Sequence, residues 1–530
     1  MKIAPTLLIL LLAVAAATAQ NAPRGVCGTH DVDIARTKAN IAAAKAYAKT
    51  RPSAAARTEV TYVPVRFKLV GDSDGTREAT ATNVMNLIEA VNRDFAPYNW
   101  RFFAHDVDGL PFDYFFDDAR NDGLRDDDAD DAFVNGNRSR DAITVYVVTN
   151  ASTGRNSIGV TLGFYSTGQD IIVLRTTEVS SNAATATHEL GHYFSLPHTF
   201  RGWDLESWDG DVCSDTAYSS PVTELRAPNT IGGQRPLVEL VTRGDDANCA
   251  EAGDLFCDTG ADYNLGFGFG GCDYRGPVVD RNGDRLRPNE NNFMSYFNDC
   301  ASYEFSVGQF DAVQADLRTN RRGFLRRGLT PINTDSVRAR AAFTAPAQDE
   351  VIGAADVATI TWDPVEHATY YFAEFGTSRT FAEPGTIRQV VLPADQLSLT
   401  VDGLEADTRY YARVRGFNQL TVGLPSPRLQ FNTGTVSSVA RPDAVTGLTV
   451  APNPVAAGGT LAAAFGVESG GDYRLDVLDA VGRLVGTQSA RLHAGSARVD
   501  VPAAGELGAG AYVLRVSGER GVTTRRFVVR

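Results

Sequence analysis

The sequence predicts a multidomain chain: an α/β unit built on a mixed twisted sheet, followed by two all-β sandwich units. Three observations carry this. At 530 residues the chain exceeds what one core of ~100–200 residues accommodates. From about residue 58 to 330, period-2 apolar runs alternate with segments of helical spacing. Beyond residue 338 only alternating strands and turn residues remain. A hydrophobic content of 43% is ordinary for a globular protein, and a net charge of −14 excludes the basic surface that a nucleic-acid partner requires.

The elements follow in order. Residues 1–19 read as a signal peptide: Lys2 supplies the positive end, Leu7–Ala16 the apolar core, and Ala17-Thr18-Ala19 the small-residue cleavage site. That run is too short to span a bilayer comfortably, and no later stretch approaches ~20 apolar residues, so no transmembrane segment is expected. Residues 20–57 show little strand pattern. The Ala-rich IARTKANIAAAKAYAK reads as a helix, and Arg51 or Arg57 marks an exposed, cleavable linker. VTYVPVRFKLV at 60–70 alternates as a strand, and Val84, Leu87, Ile88 and Val91 share a helical face. WRFFAHD, AITVYVVT, SIGVTLGFY and DIIVLRTT are further strands, and DDDADD at 126–131 reads as a solvated loop. NAATATHELGHYFSL at 182–196 and GQFDAVQADLRTNRRGFL at 308–325 read as helices.

The helix at 182–196 carries the chemistry. His188 and His192 stand four residues apart and so share one helical face, able to offer two imidazoles to one cation. Glu189 is turned aside from that pair yet close enough to hold a metal-bound water. His198, six residues after His192, supplies a third ligand once the helix ends; Glu206 and Glu224 are the rival third ligands. Three protein ligands leave a position for water, and zinc lowers the pKa of that water toward ~7 while Glu189 takes its proton. Ser195 stands where a glycine would make the turn most cheaply, at a cost of ~1–2 kcal/mol for the left-handed backbone.

HELGHYFSLPHTF, GDLFCDTGADYN, NFMSYFNDC and FSVGQFDAV together resemble the pappalysin family of metzincin proteases, with ulilysin-like members the nearest kind, over residues 58–330. The resemblance implies a metzincin-like catalytic domain with an active-site helix and one catalytic Zn2+ on His188, His192 and His198. It implies Glu189 as general base and acid, Met294 as the floor under the metal, and Tyr296 as the hydroxyl on the tetrahedral intermediate. Asp299 would line the pocket for the residue after the cleaved bond, which in such enzymes prefers arginine or lysine, and Cys272–Cys300 would be a disulfide. A second bridge must come from Cys213, Cys249 and Cys257, among which the sequence does not choose.

Cys27 in RGVCGT resembles the family's latency motif R-x-C-G-T, with Arg24 displaced by one residue. Its thiolate would fill the water position until residues 20–57 are removed; pairing with a downstream cysteine is the alternative. Asp254, Asp258 and Thr259 are candidates for structural Ca2+, while DRNGD at 280–284 reads only as a turn.

Two further resemblances complete the chain. Residues 338–434, with Trp362, Leu404, Thr408 and Tyr410, resemble a fibronectin type III sandwich. Residues 445–530, with P-N-P, D-x-x-G-R-L and G-x-Y-x-L-R-V in order, resemble the C-terminal sorting domain of the type IX secretion system. The expectation is a secreted or cell-surface zinc metalloendopeptidase of a Gram-negative, Bacteroidetes-like bacterium. It would be a monomer acting on proteins or peptides, exported by the type IX machinery, with no nucleic-acid partner. The alternative is a catalytically inactive surface adhesin on the same scaffold.

Overall fold

The computed structural model describes residues 25–29, 32–50, 59–73, 78–124, 128–151, 160–205, 225–269, 271–381, 386–435, 445–467, 470–479, 482–502, 504–518 and 521–530. The signal peptide, Arg24, the linker arginines, Glu206, Cys213 and Glu224 lie outside them. Among the described residues no helix is long and apolar enough to cross a membrane.

The first unit is built on strands β1 (Gly25–Cys27), β2 (Thr61–Gly71), β3 (Trp100–Ala104), β4 (Phe112–Phe116), β5 (Ile143–Val148), β6 (Val160–Ser166) and β7 (Ile171–Arg175). They form one sheet of order β1-β6-β7-β5-β2-β3, with β4 also on β2. The long β2 carries both neighbours in succession: β3 pairs with Thr61–Val65 and β4 with Phe67–Gly71. Pairing is parallel through β2, β3, β4, β5 and β7, and β6 runs antiparallel to β7. β5 is buried throughout, which suits its near-continuous apolar run, whereas β2 is nearly all buried although its sequence alternates, because Arg66 and Lys68 both pair with Asp113.

Against this sheet pack the helices Ala81–Asp94 and Ala184–Tyr193. The first opens on a capping box, in which Thr80 Oγ1 accepts from Asn83 N and Asn83 Oδ1 accepts from Thr80 N. It buries Val84, Leu87, Ile88 and Val91, the face its spacing predicts.

Several elements differ from expectation, among them the strand β4, which the sequence did not mark. Gly25–Cys27 is a strand, held by an edge that the segment's own sequence does not reveal. Part of the acidic run opens a helix, Asp128–Asn137. The helix expected at 308–325 ends at Leu317 and continues as a 3₁₀ segment, Asn320–Arg326.

The chain then forms two sandwiches. Strands β8 (Phe343–Ala345), β9 (Val357–Trp362), β10 (Tyr370–Gly376), β11 (Thr386–Pro393), β12 (Ser398–Asp402), β13 (Arg409–Phe417) and β14 (Leu429–Asn432) make sheets β12-β9-β8 and β11-β10-β13-β14. Tyr410 Oη accepts from Glu405 N at 2.8 Å, the tyrosine corner expected of such a sandwich. Strands β15 (Val445–Ala451), β16 (Ala462–Val467), β17 (Gly471–Asp479), β18 (Leu484–Leu492), β19 (Gly495–Asp500), β20 (Gly510–Gly518) and β21 (Gly521–Val529) make sheets β15-β16-β19 and β18-β17-β20-β21. The D-x-x-G-R-L motif is the β17–β18 turn: Asp479 accepts from Arg483 N at 2.8 Å, and Gly482 has φ +82°.

Candidate metal centre

The helix Ala184–Tyr193 contacts β6 and β7 and buries His188, Glu189 and His192. It is shorter than the expected 182–196 because it closes in a Schellman motif. Leu196 N donates to Gly191 O at 2.9 Å and Ser195 N to His192 O at 2.8 Å, with Ser195 at φ +72°. Serine thus takes the left-handed position usually given to glycine. Its hydroxyl donates to Asp316 Oδ1 at 3.2 Å, an anchor glycine lacks. The turn aims His198 back at the helix. Gly191 is required for a different reason: a Cβ there would lie 2.4 Å from Met294 Sδ. The fully buried Met294 therefore sits directly against the helix that carries the imidazoles.

The Nε2 atoms of His188, His192 and His198 form a triangle with 3.1 Å edges. Each Nδ1 faces an acceptor: Phe293 O at 2.6 Å, Leu196 O at 2.7 Å and Asp204 Oδ1 at 2.7 Å. Those acceptors place the ring protons on Nδ1. Burial pushes the His188 pKa down to about 4, so its ring is neutral. The Nε2 atoms therefore present lone pairs to one another, an arrangement only a cation relieves. With zinc–nitrogen bonds of ~2.0–2.1 Å, tetrahedral ligands lie ~3.3 Å apart, close to the edges seen.

Cys27 Sγ completes the group, all four ligand atoms lying within 4.8 Å of one another. Cys27 is a free, buried thiol, not half of a disulfide. Burial, and then the Glu189 charge, pushes its pKa up, so a thiolate here needs a compensating positive charge. These three imidazoles and one sulfur fit a single metal ion.

The segment carrying Cys27 also occupies the groups around it. β1 runs parallel to β6, and Gly28 N donates to Gly163 O at 2.8 Å. Tyr296 Oη accepts from Cys27 N at 3.0 Å and donates to Cys27 O at 3.2 Å. Thr29 Oγ1 lies 3.2 Å from Glu189 Oε2, leaving Oε1 without a partner among the described residues. Burial raises the Glu189 pKa to about 8. A cleft of about 670 Å³ adjoins the centre, walled by Tyr296, Asp299, Tyr303 and Asp94 among others.

The structure separates the residues proposed for calcium. Asp254 is fully buried and both its oxygens lie 3.0 Å from Thr259 Oγ1. Asp258 turns away and caps the helix Val307–Leu317, accepting from Ser306 Oγ at 2.9 Å and Gly308 N at 2.7 Å. In its place Glu239 enters, 2% exposed, with Oε2 unpartnered among the described residues. Burial raises both carboxyls, that of Asp254 to about 8, and the Asp254 charge further opposes ionisation of Glu239. Asp280 accepts from Asn282 N and Asp284 N and is the turn residue expected of DRNGD. Disulfides join Cys272 to Cys300 and Cys249 to Cys257, the second resolving the pairing left open.

Sequence spacing missed Asp204, Glu239 and Asp262. Asp262 ties the loop after His198 to the methionine turn, accepting from Thr199 Oγ1 at 2.8 Å and Ser295 Oγ at 3.2 Å.

No family model and no curated protein matches the sequence. Among solved structures, the FN1–FN3 domains of chicken CNTN1 are similar at 15% identity, covering 37% of this chain and 68% of that one, with a TM-score of 0.16. An fn3 domain of human contactin 1 shares 19% identity over 22% of this chain and 94% of that one, with a TM-score of 0.17. The sixth fibronectin type III domain of a human protein containing such domains shares 21% identity over 21% of this chain and 94% of that one, at 0.15. The sandwich at 338–434 is accordingly characterised by its own strand order and tyrosine corner.

Proposed function

We propose that the chain is a secreted zinc metalloendopeptidase of the pappalysin type, made as a latent precursor. The convergence of three Nε2 lone pairs at 3.1 Å, with every Nδ1 committed to an acceptor, carries this reading. Zinc on His188, His192 and His198 would polarise the scissile carbonyl and acidify water. Glu189, alongside and desolvated, receives the proton and passes it to the leaving amine. Tyr296, once free of Cys27, directs its hydroxyl to the reacting carbonyl oxygen. Met294 holds the imidazoles from below, and Asp299 favours a basic side chain after the cleaved bond.

Latency follows from the same contacts. Residues 20–57 act as a prosegment in which Cys27 fills the remaining ligand position, Thr29 engages the base and β1 lies along the β6 edge. Residues 445–530 serve export through the type IX machinery. Structural calcium is assigned to Asp254 and Thr259 with Glu239, supported by the buried, unpartnered Glu239 Oε2; calcium should raise the melting temperature of the wild type and not of Glu239→Gln.

The deciding experiment is metal analysis together with chelator-sensitive casein cleavage, wild type beside Glu189→Ala, after removal of residues 20–57. Zinc bound without hydrolysis in the wild type would favour the adhesin alternative.

A further inference from the structure

Beyond the stretch around Cys27, the described residues of the N-terminal segment make a second set of contacts. Asp33 caps a helix, Ile34–Thr50, by accepting from Arg36 N at 3.1 Å. That helix lies along the helix Val307–Leu317 and reaches the turn between the second and third imidazoles. Thr37, with no exposed surface, donates its hydroxyl to Ser195 O at 2.8 Å. Asn40, 3% exposed, donates Nδ2 to Asp316 Oδ1 at 3.0 Å. Asp316 is itself fully buried; it also accepts from Ser195 Oγ at 3.2 Å and Arg322 Nε at 3.1 Å. Further along the helix, Tyr47 lies 4.1 Å beneath the Arg318 guanidinium.

None of these contacts involves Cys27, Glu189 or an imidazole. Thr37 and Asn40 are buried polar groups whose cross-contacts are to the Ser195 turn and Asp316. Losing either donor leaves a buried acceptor short of a partner, which is more costly than losing an ordinary surface bond. Asp316 is held in place by Arg322 and Ser195, so it presents a fixed oxygen to Asn40.

We propose that the Ser195 turn and the Asp316 end of the helix Val307–Leu317 form a docking site for the helix Ile34–Thr50, one that holds the segment independently of the metal. Cutting the linker then leaves the segment bound, and the freed segment can rebind the processed chain. The proposal rests on reading residues 20–57 as a prosegment, but not on the chain being a peptidase.

The test uses the full chain with residues 51–57 exchanged for the recognition site of a sequence-specific protease. After cutting, in excess chelator, the processed chain is separated from its segment under mild denaturant and refolded. Labelled peptides spanning residues 20–50 are then added and binding is read by fluorescence anisotropy, still with chelator. The wild-type peptide and its Cys27→Ala form should bind alike. Cys27→Ala combined with Thr37→Ala and Asn40→Ala should bind about tenfold more weakly or worse. Because every substitution is on the peptide, the folding of the larger chain is common to all arms. The proposal is overturned if the triple peptide binds as well as Cys27→Ala, or if Cys27→Ala alone abolishes binding. A chain that binds the helix but hydrolyses nothing would overturn the peptidase reading and leave this docking site standing.

Discussion

The Nε2 atoms of the three imidazoles stand 3.1 Å apart, a spacing that suits one cation among them, and each ring owes its orientation to a different backbone or carboxylate acceptor. His188 and His192 were legible in the sequence because helical periodicity puts i and i+4 on one face, and Glu189 and His198 by their spacing from that pair. Their acceptors were not, since Phe293 O and Asp204 Oδ1 come from loops whose paths only packing decides. Asp204 is the most consequential of these, being a buried carboxyl where the other two acceptors are backbone carbonyls. Asp204→Asn should weaken metal affinity by about 10–100-fold in competition with a chromophoric chelator; unchanged affinity would show that it does not orient His198. Cys27 was legible as a motif, but its partners Tyr296 and Thr29 were not. The uncut Cys27→Ala precursor should hydrolyse peptide measurably faster than the uncut wild type, yet stay well below the cut chain because the helix at Ile34–Thr50 still tethers β1. Latency equal to the wild type's would count against the thiol as a ligand.

Elements with strong internal periodicity matched their predicted positions, among them β2, β5 and the helix Ala81–Asp94. Those specified by a neighbour did not. β1 is three residues long and exists through its pairing with β6, while β4 is fixed by the far half of β2. The early end of the helix that carries His188 and His192 follows from the Schellman turn at Ser195, whose left-handed backbone the sequence anticipated but whose effect on the helix length it did not. In the first sandwich the tyrosine corner joins the approach to β13 with the preceding loop. Tyr410→Phe leaves Glu405 N without its acceptor and should cost about 1–3 kcal/mol, read as a lower denaturation midpoint. A midpoint within error of wild type would remove the corner from the account of this sandwich.

The units are not simply strung together. Phe417 stacks on Phe112 with ring centroids 6.2 Å apart, and Tyr370, Phe372 and Val391 join the core of the first unit. Val422 N donates to Glu89 Oε1 at 2.7 Å and Ala104 N to Gln419 O at 2.9 Å. This joint was invisible in the sequence, where the apolar residues of β10 and β13 read equally well as the sandwich's own core. Ending the chain at residue 330 should therefore lower the melting temperature of the first unit relative to a chain ending at 434. Equal melting temperatures would mean that the joint adds nothing. The centre likewise involves more than the first unit's own strands, because the N-terminal segment covers it and places Cys27 beside the imidazoles. The most direct measurement takes the full chain, cuts it within residues 51–57, clears the segment, and determines bound zinc and peptide hydrolysis together, beside Glu189→Ala. The account predicts one zinc per chain in both proteins, with hydrolysis in the wild type and a loss of at least about a hundredfold in the variant. Absence of bound zinc, or equal hydrolysis in the two, would contradict it.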